Sequence, residues 1–236
     1  YIYTLSYMLI SVIIPCYNEE SSIIKILKRV NKQKSKFNLE IIVCDDFSND
    51  RTNEILKENN NLYSKLIVND KNYGKGYAII NSLKICTGEL ILIQDADLEY
   101  NPEDYEALIK PFLDQNADVV YGSRFTGSFS RRVIYYKNQV ANKFLTFLVN
   151  ILTDKNFTDI ECGYKVFRRS ILNKCNLKEK TFTFETEVTM KISKTKSRIY
   201  EVGVSYAGRT IEEGKKIKLK DGILAIYTIF KYRLFN

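Results

Sequence analysis

Short, mostly β-branched runs recur through the first half of the chain, each followed at once by a polar turn and then by a stretch of helical periodicity. The runs are Leu9 to Pro15 (LISVIIP), Leu39 to Cys44 (LEIIVC), Leu62 to Val68, Leu90 to Gln94 (LILIQ) and Asp118 to Tyr121 (DVVY). The clearest of them lack apolar–polar alternation, which marks strands buried on both faces. Helical patterns fill the intervals: from Asn18 through Val30, Asp50 to Asn59, Tyr77 to Ile85 and Glu103 to Leu113. Strands alternating with helices at this spacing predict an α/β fold, with a Rossmann-like, mostly parallel central sheet and helices on both faces. The second half is less regular. Arg131 to Leu152 and Thr181 to Ser193 read as amphipathic helices, and Asp221 to Phe235 as an aromatic, basic one.

The composition, 45% hydrophobic and 27% charged over 236 residues, suits a single globular domain, expected from residue 9 to 236. Residues 1–8 read as an N-terminal extension, because the first strand begins just after Met8. No apolar run approaches the roughly 20 residues that span a bilayer, and no signal peptide is evident. A cytoplasmic location is expected, with peripheral attachment through the C-terminal helix as an open alternative to core packing. Five cysteines without CxxC spacing argue against disulfides or a zinc site; Cys16 and Cys44 read as packed thiols. Histidine is absent, which removes Ser-His-Asp and Cys-His catalysis and every His-ligated metal. A metal must then be held by oxygen, which favours Mg²⁺ or Mn²⁺. The net charge of +8 fits phosphorylated substrates or an anionic membrane, beside ordinary solvated lysines. No nucleic-acid motif accompanies it.

Ligands of open parallel sheets bind beyond the carboxyl ends of the strands. Asp95 and Asp97 stand there after the LILIQ run, and in extended backbone residues two apart face one side. Two carboxylates so placed call for a cation between them, with Glu99 as a further oxygen donor. Asp45 and Asp46 end the second run, one suited to a ribose or base edge and the other to structure. Gly74-Lys75-Gly76 opens a helix and reads equally as a phosphate-binding turn or a plain one. Arg124, Arg131 and Arg132 form one basic group, and Arg209, Lys215 and Lys216 a second; guanidinium forks match phosphate oxygens. Glu185 and Glu187 open a helix, where acids serve either its dipole or an acceptor.

Pro15-Cys16-Tyr17-Asn18-Glu19-Glu20, Asp45-Asp46-Phe47-Ser48-Asn49-Asp50, Gly74-Lys75-Gly76, Gln94-Asp95-Ala96-Asp97-Leu98-Glu99 and Gly122-Ser123-Arg124 follow one another in an order that resembles family-two inverting glycosyltransferases. The branch in question is that of dolichol-phosphate mannose and glucose synthases and their bacterial relatives. Asp159 to Phe167 (DIECGYKVF), Phe184 to Glu187, and Gly208-Arg209 with Glu213 to Lys216 extend the likeness. It implies a GT-A fold, a nucleotide diphosphate sugar donor and a polyprenyl-phosphate acceptor. Pro15, Tyr17, Glu19, Asp45, Asp46, Lys75, Asp95 and Ala96 are expected to bind the donor, and Asp95, Asp97 and Glu99 the metal. Arg124, Arg131, Arg132, Arg209 and Lys215 are expected to grip phosphates. Asp97, Arg124, Glu185 and Glu187 are the expected catalytic residues; either glutamate serves as base only if the acceptor is a neutral hydroxyl. Glu99 stands where many mannose synthases carry glutamine. The rivals are the same chemistry on a glycan hydroxyl and a sugar nucleotidyltransferase, which wants a glycine-rich loop where Pro15 to Glu20 stand.

Overall fold

The computed structural model describes residues 8–127, 132–133, 135–210, 212–213 and 219–235. Of the expected extension over residues 1–8, all but Met8 lies outside this set. Among the described residues there are seven strands: β1 (Leu9–Cys16), β2 (Asn38–Asp45), β3 (Lys65–Val68), β4 (Leu90–Ile93), β5 (Val119–Ser123), β6 (Lys165–Arg168) and β7 (Ile199–Gly203). They form one sheet in the order β3-β2-β1-β4-β6-β5-β7. Only β6 runs antiparallel to its neighbours, β4 and β5; the other pairings are parallel. The helices are α1 (Ile23–Lys32), α2 (Thr52–Glu58), α3 (Lys75–Leu83), α4 (Tyr105–Asp114), α5 (Tyr136–Thr153), α6 (Arg169–Leu172), α7 (Phe184–Ser193) and α8 (Leu219–Leu234).

The absence of alternation in β1 has its expected cause. Ile10, Val12 and Ile14 enter a core with Ile23, Ile26, Leu27 and Val30 of α1 and Leu108 and Phe112 of α4. Ile13 enters a second core on the opposite face, with Ile79 of α3, Val149 of α5, Val188 of α7 and Ile229 of α8. Each fully buried side chain of this kind contributes roughly 1.5–3 kcal/mol, so both faces select for apolar residues. Two strands fall outside the sequence reading, and one helix differs from it. β6 and β7 escape the pattern, being four and five residues long and, in β6, bounded by Lys165 and Arg168. α7 is not amphipathic: all ten residues are buried, its charges neutralised by partners such as Lys191 on Glu187 at 2.7 Å.

One polar cluster is buried at the end of the sheet remote from the site. Glu40 accepts from Ser11 Oγ (2.5 Å), Thr87 N (2.9 Å) and Lys65 Nζ (2.7 Å). Burial opposes ionisation, but Lys65, Ser11 and Thr87 overcome it and hold the carboxyl at about 2, below its ordinary 4.5. A depressed carboxyl stabilises the fold above its unfolded value and loses that contribution as pH falls through the folded one. Glu40→Gln is therefore expected to cost about 2 kcal/mol at pH 7, with the deficit shrinking between about pH 4.5 and pH 2. Urea unfolding of both proteins across that range measures it.

Candidate active site

The carboxyl ends of β1, β2 and β4 meet over one cavity of about 470 Å³. Pro15, Cys16, Tyr17 and Glu19 line it from β1, Asp46 from β2, Lys75 from α3, and Asp95, Ala96, Asp97 and Glu99 from the turn after β4. Arg124, Glu161, Gly163, Glu185, Tyr206 and Arg209 close the far side. The β1 and β2 turns are laced together, Asn18 N donating to Ser48 Oγ (2.9 Å) and Asn49 N to Asn18 Oδ1 (2.8 Å). Each of the three turns contains a non-glycine residue in left-handed conformation: Asn18 at φ 52°, Phe47 at 65° and Leu98 at 65°. Because β4 ends at Ile93, Asp95 and Asp97 share the cavity through this turn, not through strand alternation.

The two aspartates are paired with cations of the chain itself. Lys75 Nζ lies 2.7 Å from Asp95 Oδ1 and 3.0 Å from Glu185 Oε1. Glu185 Oε2 in turn meets the wholly buried Lys165 at 2.6 Å. Arg209 donates to Asp97 Oδ2 (3.1 Å) and to both oxygens of Glu19 (3.3 Å each), while its backbone N–H donates to Glu99 Oε1 (2.6 Å). Burial alone would weaken the Lys75 ammonium, but Asp95 and Glu185 raise it instead. Burial, then Asp95 and Glu99, push the Asp97 carboxyl up to about 7. Burial and the neighbouring carboxylates both disfavour the charged form, and Arg209 acts against them.

Among the described residues no group of three or more Cys, Asp or Glu forms a ready-made metal cage. Two crowded carboxylates in an open cavity nevertheless fit an ion that takes one or two carboxylates and completes its shell with water and substrate phosphate. Asp95 and Asp97 are the residues for that role. Glu99 also lines the cavity, but its oxygens are engaged by Tyr206 Oη (3.0 Å) and Arg209 N.

Other expected site residues are placed differently. Asp45 is absent from the cavity wall: it accepts from Ser48 and Asn53 and holds the β2 turn. Asp46 lines the cavity, with its carboxylate taken by Asn69, Tyr73 N and Gly74 N. Glu187 is absent from the cavity wall, its carboxylate accepting from Lys178 N, Glu179 N and Lys191 Nζ. The Gly74 and Gly76 positions admit no Cβ because Lys180 O and Glu179 O lie 2.6 and 2.3 Å from where it would stand. These glycines thus permit close approach of the chain's own backbone at Glu179 and Lys180. Arg124 turns its fork onto buried Asp159, with two contacts of 2.7 Å. Arg132 reaches Gly208 O and Glu213, off the cavity wall. Arg131 and Lys215 lie outside the described residues.

Several cavity residues escaped assignment from the sequence. Glu161 is half-buried at the wall, its carboxyl pushed up to about 7 by desolvation and by Glu185, against the pull of Lys165. Gly163 sits where a Cβ would stand 2.3 Å from Asp95 Oδ2. Both precede β6; because that strand is reversed, its leading residues reach the rim where the parallel strands place their trailing ones. An acidic Asp-Ile-Glu ahead of an apolar strand was the available signal. The cavity also continues along α5 and α8, past Asn138, Ala141, Gly222 and Ala225. These helices pack together and expose Tyr136, Val140, Phe144, Phe147 and Ile151 on one, and Ile223, Tyr227, Phe230 and Leu234 on the other. Among the described residues no helix is long and apolar enough to cross a membrane.

The model of the glycosyl transferase family 2 matches residues 11–175. An uncharacterized protein of Methanocaldococcus jannaschii is 31% identical over 82% of this chain and 86% of its own length. The dolichol-phosphate mannosyltransferase of Pyrococcus furiosus is 28% identical over 97% of the chain, and an undecaprenyl-phosphate 4-deoxy-4-formamido-L-arabinose transferase of Aeromonas hydrophila subsp. hydrophila 29% over 88%. The chain spans only 64% and 62% of these two proteins. Among solved structures, glucosyl-3-phosphoglycerate synthase from Mycobacterium tuberculosis, with Mn²⁺, uridine diphosphate and phosphoglyceric acid, superposes with a TM-score of 0.75 at 18% identity, covering 98% of this chain and 80% of that one. The same enzyme with Mg²⁺ and uridine diphosphate gives 0.73, also at 18% identity, over 98% of this chain and 83% of that one.

Proposed function

The chain belongs to glycosyl transferase family 2, and from that premise we propose that it moves a sugar, with inversion, from a metal-bound nucleotide diphosphate sugar to a polyprenyl phosphate. The observation that carries the reading is the Asp95–Asp97 pair on the cavity wall with Lys75 and Arg209 beside it. Asp95 and Asp97 would hold Mg²⁺ or Mn²⁺, which supplies Lewis-acid neutralisation of the departing diphosphate. Lys75 and Arg209 add fixed positive charge at the same place. Pro15, Tyr17, Glu19 and Asp46 surround the nucleotide, and Arg124, with its fork on Asp159, stiffens the rim. An acceptor phosphate is already anionic and needs positioning more than a base.

The lipid acceptor is supported by the exposed apolar faces of α5 and α8, with Phe147 56% and Tyr227 65% exposed on the same two helices whose Ala141 and Ala225 line the cavity. Lys137, Lys143, Lys220 and Arg233 on the same helices suit anionic headgroups, at about 1 kcal/mol each. α8 packs Ala225, Ile229 and Tyr232 into the core and leaves Ile223, Tyr227 and Phe230 exposed, which supports a lipid-facing side. A second reading, transfer to a glycan hydroxyl, is favoured by Glu161, whose raised carboxyl suits a general base. Labelled UDP-, GDP- and dTDP-sugars, supplied with Mn²⁺ and either polyprenyl phosphate in anionic vesicles or soluble glycans, separate the two. The expected outcome is lipid-linked product that Glu161→Gln leaves within a few-fold of wild type. Tyr227→Asp with Phe230→Asp is expected to abolish vesicle co-sedimentation. Label appearing only on soluble glycan, and lost in Glu161→Gln, sinks the lipid reading.

A further inference from the structure

We propose that Lys75 and Arg209 are exchangeable counter-ions of the aspartate pair, so that the site takes up a divalent ion tightly only together with a diphosphate. This rests on the reading that Asp95 and Asp97 hold the ion. Both cations occupy carboxylate oxygens that a metal would need: Lys75 lies on Asp95 Oδ1 and Arg209 on Asp97 Oδ2. Each has a second partner to retreat to, Glu185 at 3.0 Å for Lys75 and Glu19 at 3.3 Å for Arg209. Neither is left stranded when its aspartate is taken.

The coupling follows from charge. An ion entering alone brings two positive charges against two cations confined beside the same carboxylates, all of them largely shielded from solvent, where repulsion is poorly screened. A diphosphate entering with it supplies oxygens for the released ammonium and the guanidinium fork. Metal and diphosphate therefore each strengthen the other's binding, and by linkage the two effects are equal.

Mn²⁺ binding to the whole chain, read by electron paramagnetic resonance with and without UDP or GDP, tests this without any turnover. In the wild type the nucleotide is expected to tighten Mn²⁺ on the order of 100-fold. Lys75→Met and Arg209→Gln are each expected to bind Mn²⁺ alone about tenfold more tightly and to lose most of the nucleotide's effect. Lys137→Met removes another cation of the cavity wall that is not on the aspartates, and should shift Mn²⁺ binding no more than about twofold. The proposal is overturned if both variants bind Mn²⁺ alone no better than wild type, or if Lys137→Met matches them. Circular dichroism identifies a variant that fails to fold, and the other then decides. Failure of the underlying reading is distinct: Asp97→Asn would bind Mn²⁺ with nucleotide as well as the wild type does.

Discussion

Asp97→Asn is expected to lower sugar transfer on the order of 10³-fold, about 4 kcal/mol of transition-state stabilisation, while leaving the fold intact. The loss follows from the position of Asp97 on the cavity wall, where its charge is held beside Asp95 and Glu99 at the end of β4. The fold survives because asparagine keeps the Oδ1 that accepts from Glu99 N (3.1 Å), and the other neighbours have partners of their own. Arg209 keeps both oxygens of Glu19, and its backbone N–H keeps Glu99. Removing one of several crowded carboxylates relieves repulsion, so the thermal midpoint should be unchanged or higher, a familiar trade between stability and function. Initial rates across a Mn²⁺ titration, paired with thermal unfolding, check both halves. Wild-type rates with wild-type metal dependence would remove the foundation of the proposed chemistry.

Gly163→Ala is expected to cost about 100-fold in transfer although the substituted atom is a single methyl group. Its Cβ would stand 2.3 Å from Asp95 Oδ2 and 3.1 Å from Tyr100 Cε2. The aspartate must rotate away, and displacing a reacting group by about 1 Å commonly has an effect of that size. Overpacking of this kind also costs roughly 1–3 kcal/mol of stability. A double-mutant cycle isolates the cause: in an Asp95→Ala background the same substitution should bring little further loss of activity, because the group it displaces is gone. Full additivity would show that Gly163 acts elsewhere.

Much of the fold was legible because it rests on local patterns. β1, β2 and β4 are apolar runs buried on both faces, and α1 repeats its buried residues at Ile23, Ile26, Leu27 and Val30. The acids and the lysine of the rim were legible because parallel strands end there. What was hidden depends on long-range partners. β6 is polar at both ends and reversed, so the rule of looking after each strand passes over Glu161 and Gly163. Glu185 and Glu187 look alike in sequence, yet about half a turn of helix separates one that meets Lys75 and Lys165 from one that accepts from the backbone of Lys178 and Glu179. Asp45 and Asp46 divide in the same way, because neighbouring residues at a strand end face opposite directions. No local signal distinguishes the members of either pair.

The left-handed residues at Asn18, Phe47 and Leu98 have a bearing on how donor recognition is powered. A non-glycine residue in that region carries a conformational cost, which folding meets when the sheet and its laced turns assemble. A ligand arriving later finds three turns with little freedom left to surrender, so less of its contact energy is consumed in organising the receptor. Affinity in such a site is written largely into the empty protein.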